Sequence, residues 1–233
     1  MVLPDLRATL LGVSTGRVGD LGRGGRSIPS AFVKAPVPGR IPLGHLGLPG
    51  DEHVYEHHGG PDMALLVYPA EHSAAWADEL GLELPDVAAF GENLTTRGMT
   101  EDDVHLGDVF TLGTAVVQAC QPRTPCYKLA ARFGVKDMAV RVQATGRTGY
   151  LLRVLAEGEI GAGDELVLRE REHHGITVAE AGRIVNVDRR DLDGARRVLA
   201  VASLGSAVRA TLEARVGAPP ADDLDRPRLF GDG

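Results

Sequence analysis

Two cysteines, Cys120 and Cys126, bracket the segment Gln-Pro-Arg-Thr-Pro, and Cys126 has the surroundings that could do chemistry. Thr124 suits an N-cap, Pro125 a first helical position and Gly134 a C-terminal stop, which predicts a helix with Cys126 in its first turn. Orphan amides and the helix dipole favour negative charge there, and Arg123 is close, so a thiolate is expected. A thiolate binds a soft metal or attacks an electrophile. The plainer reading is a small buried hydrophobe, and that is what the apolar surroundings of Cys120 predict for it.

Three other segments carry candidate groups. Gly50-Asp-Glu-His-Val-Tyr-Glu-His57-His58-Gly-Gly-Pro-Asp62 is a tight loop in which glycines let a ligand approach the backbone while an imidazole donates or accepts. A zinc site from His53, His57, His58 and Asp51 follows no recognised spacing, and adjacent His57 and His58 can hardly face one ion; a polar surface loop is the alternative. Phe90-Gly-Glu-Asn-Leu-Thr95 offers Asn93 as donor and acceptor and Glu92 as a proton carrier, or only a turn. Lys34, in a proline-flanked extended stretch, is an anion contact or a solvated surface lysine.

The elements that must position these groups are mostly strands. Residues 6–14 read as a first strand and Gly16–Ser30 as a long loop; the Pro36, Pro38 and Pro42 stretch reads as extended. Residues 63–68 form a buried strand, followed by a helix with Pro69 at its first position, Gly81 past its end, and Ala70, Ala74 and Leu80 on its buried side near Trp76. Val104–Leu112 and Thr114–Cys120 suggest a hairpin about Gly113. The pattern Leu106-Gly-Asp-Val-Phe-Thr-Leu112 echoes in Ala162-Gly-Asp-Glu-Leu-Val-Leu168. With Tyr150–Ala156 these make seven or more strands, a mainly β (α+β) chain built on a closed or partly closed antiparallel barrel.

After Arg171 the texture becomes helical, and a boundary falls near residue 173. Residues 1–172 then form the barrel domain and 173–217 a three-helix extension. Thr177-Val-Ala-Glu180 is a capping box, Asp191 caps a second helix, and Val208, Leu212 and Val216 stripe a third ending at Gly217. So small an extension should pack on the barrel or on a second subunit, making a homodimer. Residues 218–233, acidic and Pro-rich, are expected to be a mobile tail.

The 233 residues carry a formal charge of −7, the wrong sign for binding nucleic acid chiefly through its phosphates. No apolar run is long enough to cross a membrane, and the N-terminus has neither a charged leader nor an apolar signal core, so a cytoplasmic protein is expected.

Taken in order, Ser30-Ala-Phe-Val-Lys34-Ala-Pro-Val, His57-His-Gly-Gly-Pro-Asp62, Phe90-Gly-Glu-Asn-Leu-Thr95 and Gln121-Pro-Arg-Thr-Pro-Cys126 resemble the segments of MOSC-domain proteins, named for the molybdenum cofactor sulfurase C-terminus. The likeness covers about residues 5–170. The helical extension is similar to that of the YiiM-like subgroup. The resemblance implies a MOSC-type β-barrel with a C-terminal three-helix appendage, holding molybdenum-molybdopterin with the Cys126 thiolate on the metal. It further implies an oxidoreductase that reduces N-hydroxylated compounds such as 6-hydroxylaminopurine to amines, fed by an external electron-donating reductase, since the chain has no flavin or nicotinamide fingerprint. On that resemblance Lys34, His57, Asn93 and Arg123 are assigned to the cofactor's phosphate, pterin or oxo groups. His57 is the preferred proton carrier and His58 its rival. Met63 departs from the family pattern, where a lysine often follows the aspartate. The competing functions are sulfur transfer through a Cys126 persulfide and a non-catalytic cofactor-binding module.

Overall fold

The computed structural model describes residues 4–22, 27–54, 59–218 and 225–231. Strand β1 (Arg7–Thr15) buries Ala8, Leu10 and Val13. Strands β2 (Gly19–Asp20) and β3 (Pro29–Ser30) pair in a short ladder, so the stretch read as pure loop is partly ordered. The physical reason is Asp20, whose Oδ1 accepts the amides of Gly22 at 2.8 Å and Ile28 at 2.7 Å, tying the two ends together. The proline-flanked stretch is extended as expected and supplies β4 (Ala35–Pro36) and β5 (Arg40–Leu43).

Strand β6 (Leu65–Pro69) is followed by α1 (Glu71–Leu80) and β7 (Leu94–Arg97). Pro69 ends the strand and does not begin the helix: the next amide, Ala70 N–H, still donates to the Thr96 carbonyl at 2.8 Å. Gly81, left-handed at φ 63°, ends α1 as expected. Trp76 is the buried residue of this helix, and Ala74 faces solvent. Strands β8 (Val109–Leu112) and β9 (Ala115–Pro122) make the expected hairpin about Gly113. Helices α2 (Lys128–Phe133) and α3 (Met138–Thr145) lead to β10 (Tyr150–Ala156), β11 (Gly158–Gly161) and β12 (Glu165–Glu170).

Seven strands close in the order β1, β7, β6, β10, β9, β8, β12 and back to β1. The ring is antiparallel except for β6 and β7, which run parallel; a parallel pair needs a crossover, and α1 supplies it. β5 pairs with β11 beside the barrel. The sequence echo has a structural counterpart, since β8 and β12 lie side by side. Each is preceded by a left-handed glycine, Gly107 or Gly163. Each also follows an aspartate whose Oδ2 accepts the amide three residues back, Asp108 from His105 and Asp164 from Gly161.

The C-terminal helices begin with α4 (Val178–Gly182), capped by Thr177 Oγ1 accepting from Glu180 N–H, which runs into a π-turn at Arg183–Val187. Asp191 caps α5 (Leu192–Leu199) through the Gly194 amide, α6 spans Ser206–Gly217, and α7 (Arg226–Phe230) lies within the tail. One hydrophobic cluster runs from Leu10, Leu65, Phe110 and Leu152 of the barrel to Ile184, Val198 and Leu212 of the helices. A second joins Phe32, Tyr68, Trp76 and Phe90 to Leu129 and Met138, and Leu229 of α7 packs against it.

Candidate functional site

A cavity of about 540 Å³ opens between one end of the barrel and the C-terminal helices, and Lys34, Asn93, Arg123 and Cys126 all line it. His57, with His58, lies outside the described residues.

At the barrel rim Lys34 precedes β4 and Asn93 precedes β7, and Asp51 stands between them. Lys34 Nζ forms an ion pair with Asp51 Oδ1. Asn93 is 5% exposed; its Nδ2 donates to Asp51 Oδ2 at 2.8 Å and to the Ser14 carbonyl at 3.3 Å, while its Oδ1 accepts the Leu66 amide at 3.0 Å. The Asp51 carboxylate also accepts the Gly16 amide at 2.8 Å. Asn93 therefore fastens β1 and β6 together and holds the carboxylate that orients Lys34. Asp51, weighed from sequence only as a zinc ligand, is the hub of this corner. Glu92 is committed locally: it is 1% exposed and accepts from Phe90 N–H at 2.8 Å and Thr95 Oγ1–H at 2.8 Å.

Cys126 sits two residues ahead of α2, and Tyr127 occupies the N-cap position without a side-chain cap. The predicted helix start was early because the chain at 123–126 is still leaving the barrel: Arg123 N–H donates to the Gly149 carbonyl at 3.1 Å and Asn186 Nδ2 to the Arg123 carbonyl at 3.2 Å. Gly134, left-handed at φ 72°, stops α2 as expected. The Arg123 guanidinium lies over the Phe32 ring, 5.8 Å from its centroid, and its Nη1 is buried with no hydrogen-bond partner among the described residues. Burial pulls the Arg123 guanidinium below its ordinary pKa, opposed by Cys126, Tyr68 and Glu92. Lys128, buried and on the same cavity wall, is lowered by burial as well, with Cys126 opposing. Two desolvated cations beside a thiol make this wall receptive to negative charge.

Cys120 is fully buried, and its Sγ–H donates to the carbonyls of Asp62 at 3.1 Å and Leu151 at 3.4 Å. Asp62, at the end of the second segment, turns toward the appendage. Its Oδ2 accepts the Ser206 amide and hydroxyl, both at 2.8 Å, and its Oδ1 pairs with Arg153 at 2.8 Å. His53 lines the cavity beside left-handed Gly59 (φ 112°), where a Cβ would meet the imidazole at 2.9 Å. Among the described residues no three His, Cys, Asp or Glu side chains gather as a metal site. The far wall was not foreseen from the sequence: Asn186, Arg189 and Arg215 from the appendage and Arg228 from α7. No local spacing marks them, because only the packing of helices on the barrel brings them to the cavity.

A family profile for the MOSC domain matches residues 54–167. The uncharacterized protein YflK of Bacillus subtilis (strain 168) is 43% identical over 206 residues, covering 88% of this chain and 93% of that one. YiiM of Escherichia coli (strain K12) is 42% identical over 206 residues, covering 87% and 91%. A Gibberella moniliformis protein called a reductase is 37% identical over 179 residues, 76% of this chain but 32% of that one. The crystal structure of E. coli YiiM superposes with a TM-score of 0.77 at 36% identity over 97% of this chain and 100% of that one. YiiM from Geobacillus stearothermophilus gives 0.76 at 32% identity over 90% and 99%. With the closed barrel, the helical extension and matches over nearly the whole length, the chain belongs to the MOSC-domain family, in the group that includes YiiM and YflK.

Proposed function

We propose that this chain is a molybdenum-cofactor-dependent oxidoreductase that reduces N-hydroxylated compounds to amines. The observation that carries the reading is the convergence on one cavity of the Cys126 thiol, the desolvated Arg123 and Lys128, and Lys34 braced by Asp51. The donor set suits the cofactor. A thiolate is a ligand for a soft metal, and the buried Nη1 of Arg123, without a partner among the described residues, carries N–H groups that an anionic phosphate or pterin group would satisfy. Cys126 would ligate the metal; Arg123 and Lys34 would hold the anionic and polar parts. Asn93 serves by fixing Asp51. When bound, the cofactor supplies a metal centre that exchanges two electrons.

The overall reaction, R–NHOH plus two electrons and two protons to R–NH2 plus water, asks the protein for proton delivery and water exclusion. His57 is the proposed proton carrier; His53, four positions before it in the chain, lines the cavity. The electrons are assigned to a separate reductase. A relative named as a reductase, of which the matching segment is only 32%, supports a redox role for this fold. We assign the protein to the cytoplasm; among the described residues no helix is long and apolar enough to cross a membrane.

The test is molybdenum per chain, measured by elemental analysis on protein from a host that makes the pterin cofactor. Near-stoichiometric metal in the wild type, lost in Cys126→Ala, is expected, followed by turnover of 6-hydroxylaminopurine with an electron donor. A wild type without metal from such a host would overturn the proposal.

A further inference from the structure

We propose that Arg228, in the C-terminal helix, is the positioning residue for the Cys126 thiol. Helix α2 reaches Cys126 by one bond, the Leu129 amide donating to the Cys126 carbonyl at 3.1 Å, but it begins after Cys126, has no side-chain cap and leaves the plane before Cys126 untouched. The direction of the Cys126 Cα–Cβ bond is set by the two peptide planes that flank it, and Arg228 holds both. Its Nη1 donates to the Pro125 carbonyl, which belongs to the plane before Cys126. Its own backbone carbonyl accepts the Tyr127 amide at 2.8 Å, which belongs to the plane after. Pro125 has no N–H, so its carbonyl is its one backbone hydrogen-bonding group.

The clamp is itself anchored. Arg228 Nη2 donates to Gln143 Oε1 of α3 at 2.7 Å and lies 3.3 Å from Asp225 Oδ2; Asp225 also pairs with Arg189 at 3.0 Å. Leu229 packs into the aromatic cluster. Gly231, left-handed at φ 77°, lies against the Tyr127 ring, where a Cβ would stand 3.3 Å from Cδ2. The tail thus reaches back across the chain to fix the residue that lines the cavity. The clamp on the thiol stands whatever the thiol holds; its consequence for metal rests on the proposed function.

The experiment is the rate of iodoacetamide alkylation of Cys126 in cofactor-free protein, followed by mass spectrometry, with buried Cys120 as internal control. In Arg228→Ala and in a chain ending at Ala218 the rate rises about tenfold, as expected when a charged hydrogen bond holding a local segment is lost. Arg228→Lys, which can still reach one acceptor, falls between these and the wild type. Equal Cys126 rates in wild type, Arg228→Ala and the shortened chain would overturn the clamp, and so would Cys120 becoming modified in step, since the effect would then be general unfolding. Molybdenum per chain is measured in parallel and falls in Arg228→Ala. A wild type without metal would count against the proposed function alone, with the alkylation rates still deciding the clamp.

Discussion

Cys120 and Cys126 are close in sequence and opposite in circumstance. Burial pushes the Cys120 thiol up to about 12, with Arg153 opposing and Asp62 adding to the rise. The folded protein therefore keeps the Cys120 proton after the unfolded chain, at its ordinary value of 9.0, has released it. By linkage this group's stability contribution is full below that ordinary value and is lost as pH rises toward the folded one. Urea unfolding of wild type and Cys120→Ala at a series of pH values should show the wild type losing stability faster between about pH 9 and 12, by at most about 1.4 kcal/mol per pH unit. Parallel pH profiles would refute it. Cys126 is half-buried and lines the cavity wall with Arg123 and Lys128.

Among the elements, α6 shows how the appendage is fastened. Its first amides would be orphaned at the seam with the barrel, and no side chain of its own caps them. Asp62, from the barrel, accepts the Ser206 amide and hydroxyl in their place. Burial raises its pKa, but the Ser206 backbone and hydroxyl and the Arg153 guanidinium outweigh that and hold it below 3.8. Asp62→Ala should cost about 1–2 kcal/mol at neutral pH, the worth of a helix cap. Because the folded value is lowered, the wild-type advantage is present above pH 3.8 and shrinks as pH falls through the folded value. Urea midpoints at pH 7 and pH 3 test both statements, and an equal difference at the two would remove the charge from the account.

For the whole molecule, the barrel and the helices share one hydrophobic cluster, and the cavity lies between them with walls from both. A boundary at residue 173 separates textures of sequence, whereas the core is continuous across it. A chain ending at residue 172 loses Ile176, Val178, Ile184, Val198 and Leu212 from that cluster and leaves their barrel partners open to water. Exposed apolar patches of that kind drive association. The shortened chain should therefore be largely insoluble or elute as aggregates in size-exclusion chromatography. A soluble, monomeric barrel with cooperative unfolding would show the two parts to be independent.

Much of the fold was legible in local pattern. The alternation of β1, the hairpin at Gly113, the Thr177 and Asp191 caps and the glycine stops at Gly81 and Gly134 follow from nearest-neighbour chemistry, which a sequence carries in full. The residues around Cys126 were marked by type and spacing for the same reason. Local pattern misplaced the starts of α1 and α2, where long-range hydrogen bonds to Thr96, Gly149 and Asn186 keep the chain out of helix. It was also silent on the partners of Asn93, on Asp51 as the hub of Lys34, and on the reach of Asp62 and Arg228 to distant segments. Those contacts join residues up to 144 positions apart, and closure of the barrel with the docking of the helices is what brings them together. Sequence alone determined which side chains could hold a soft metal and an anion; only the tertiary structure decided which of them share a cavity, because that depends on packing between elements whose spacing in the chain carries no trace of it.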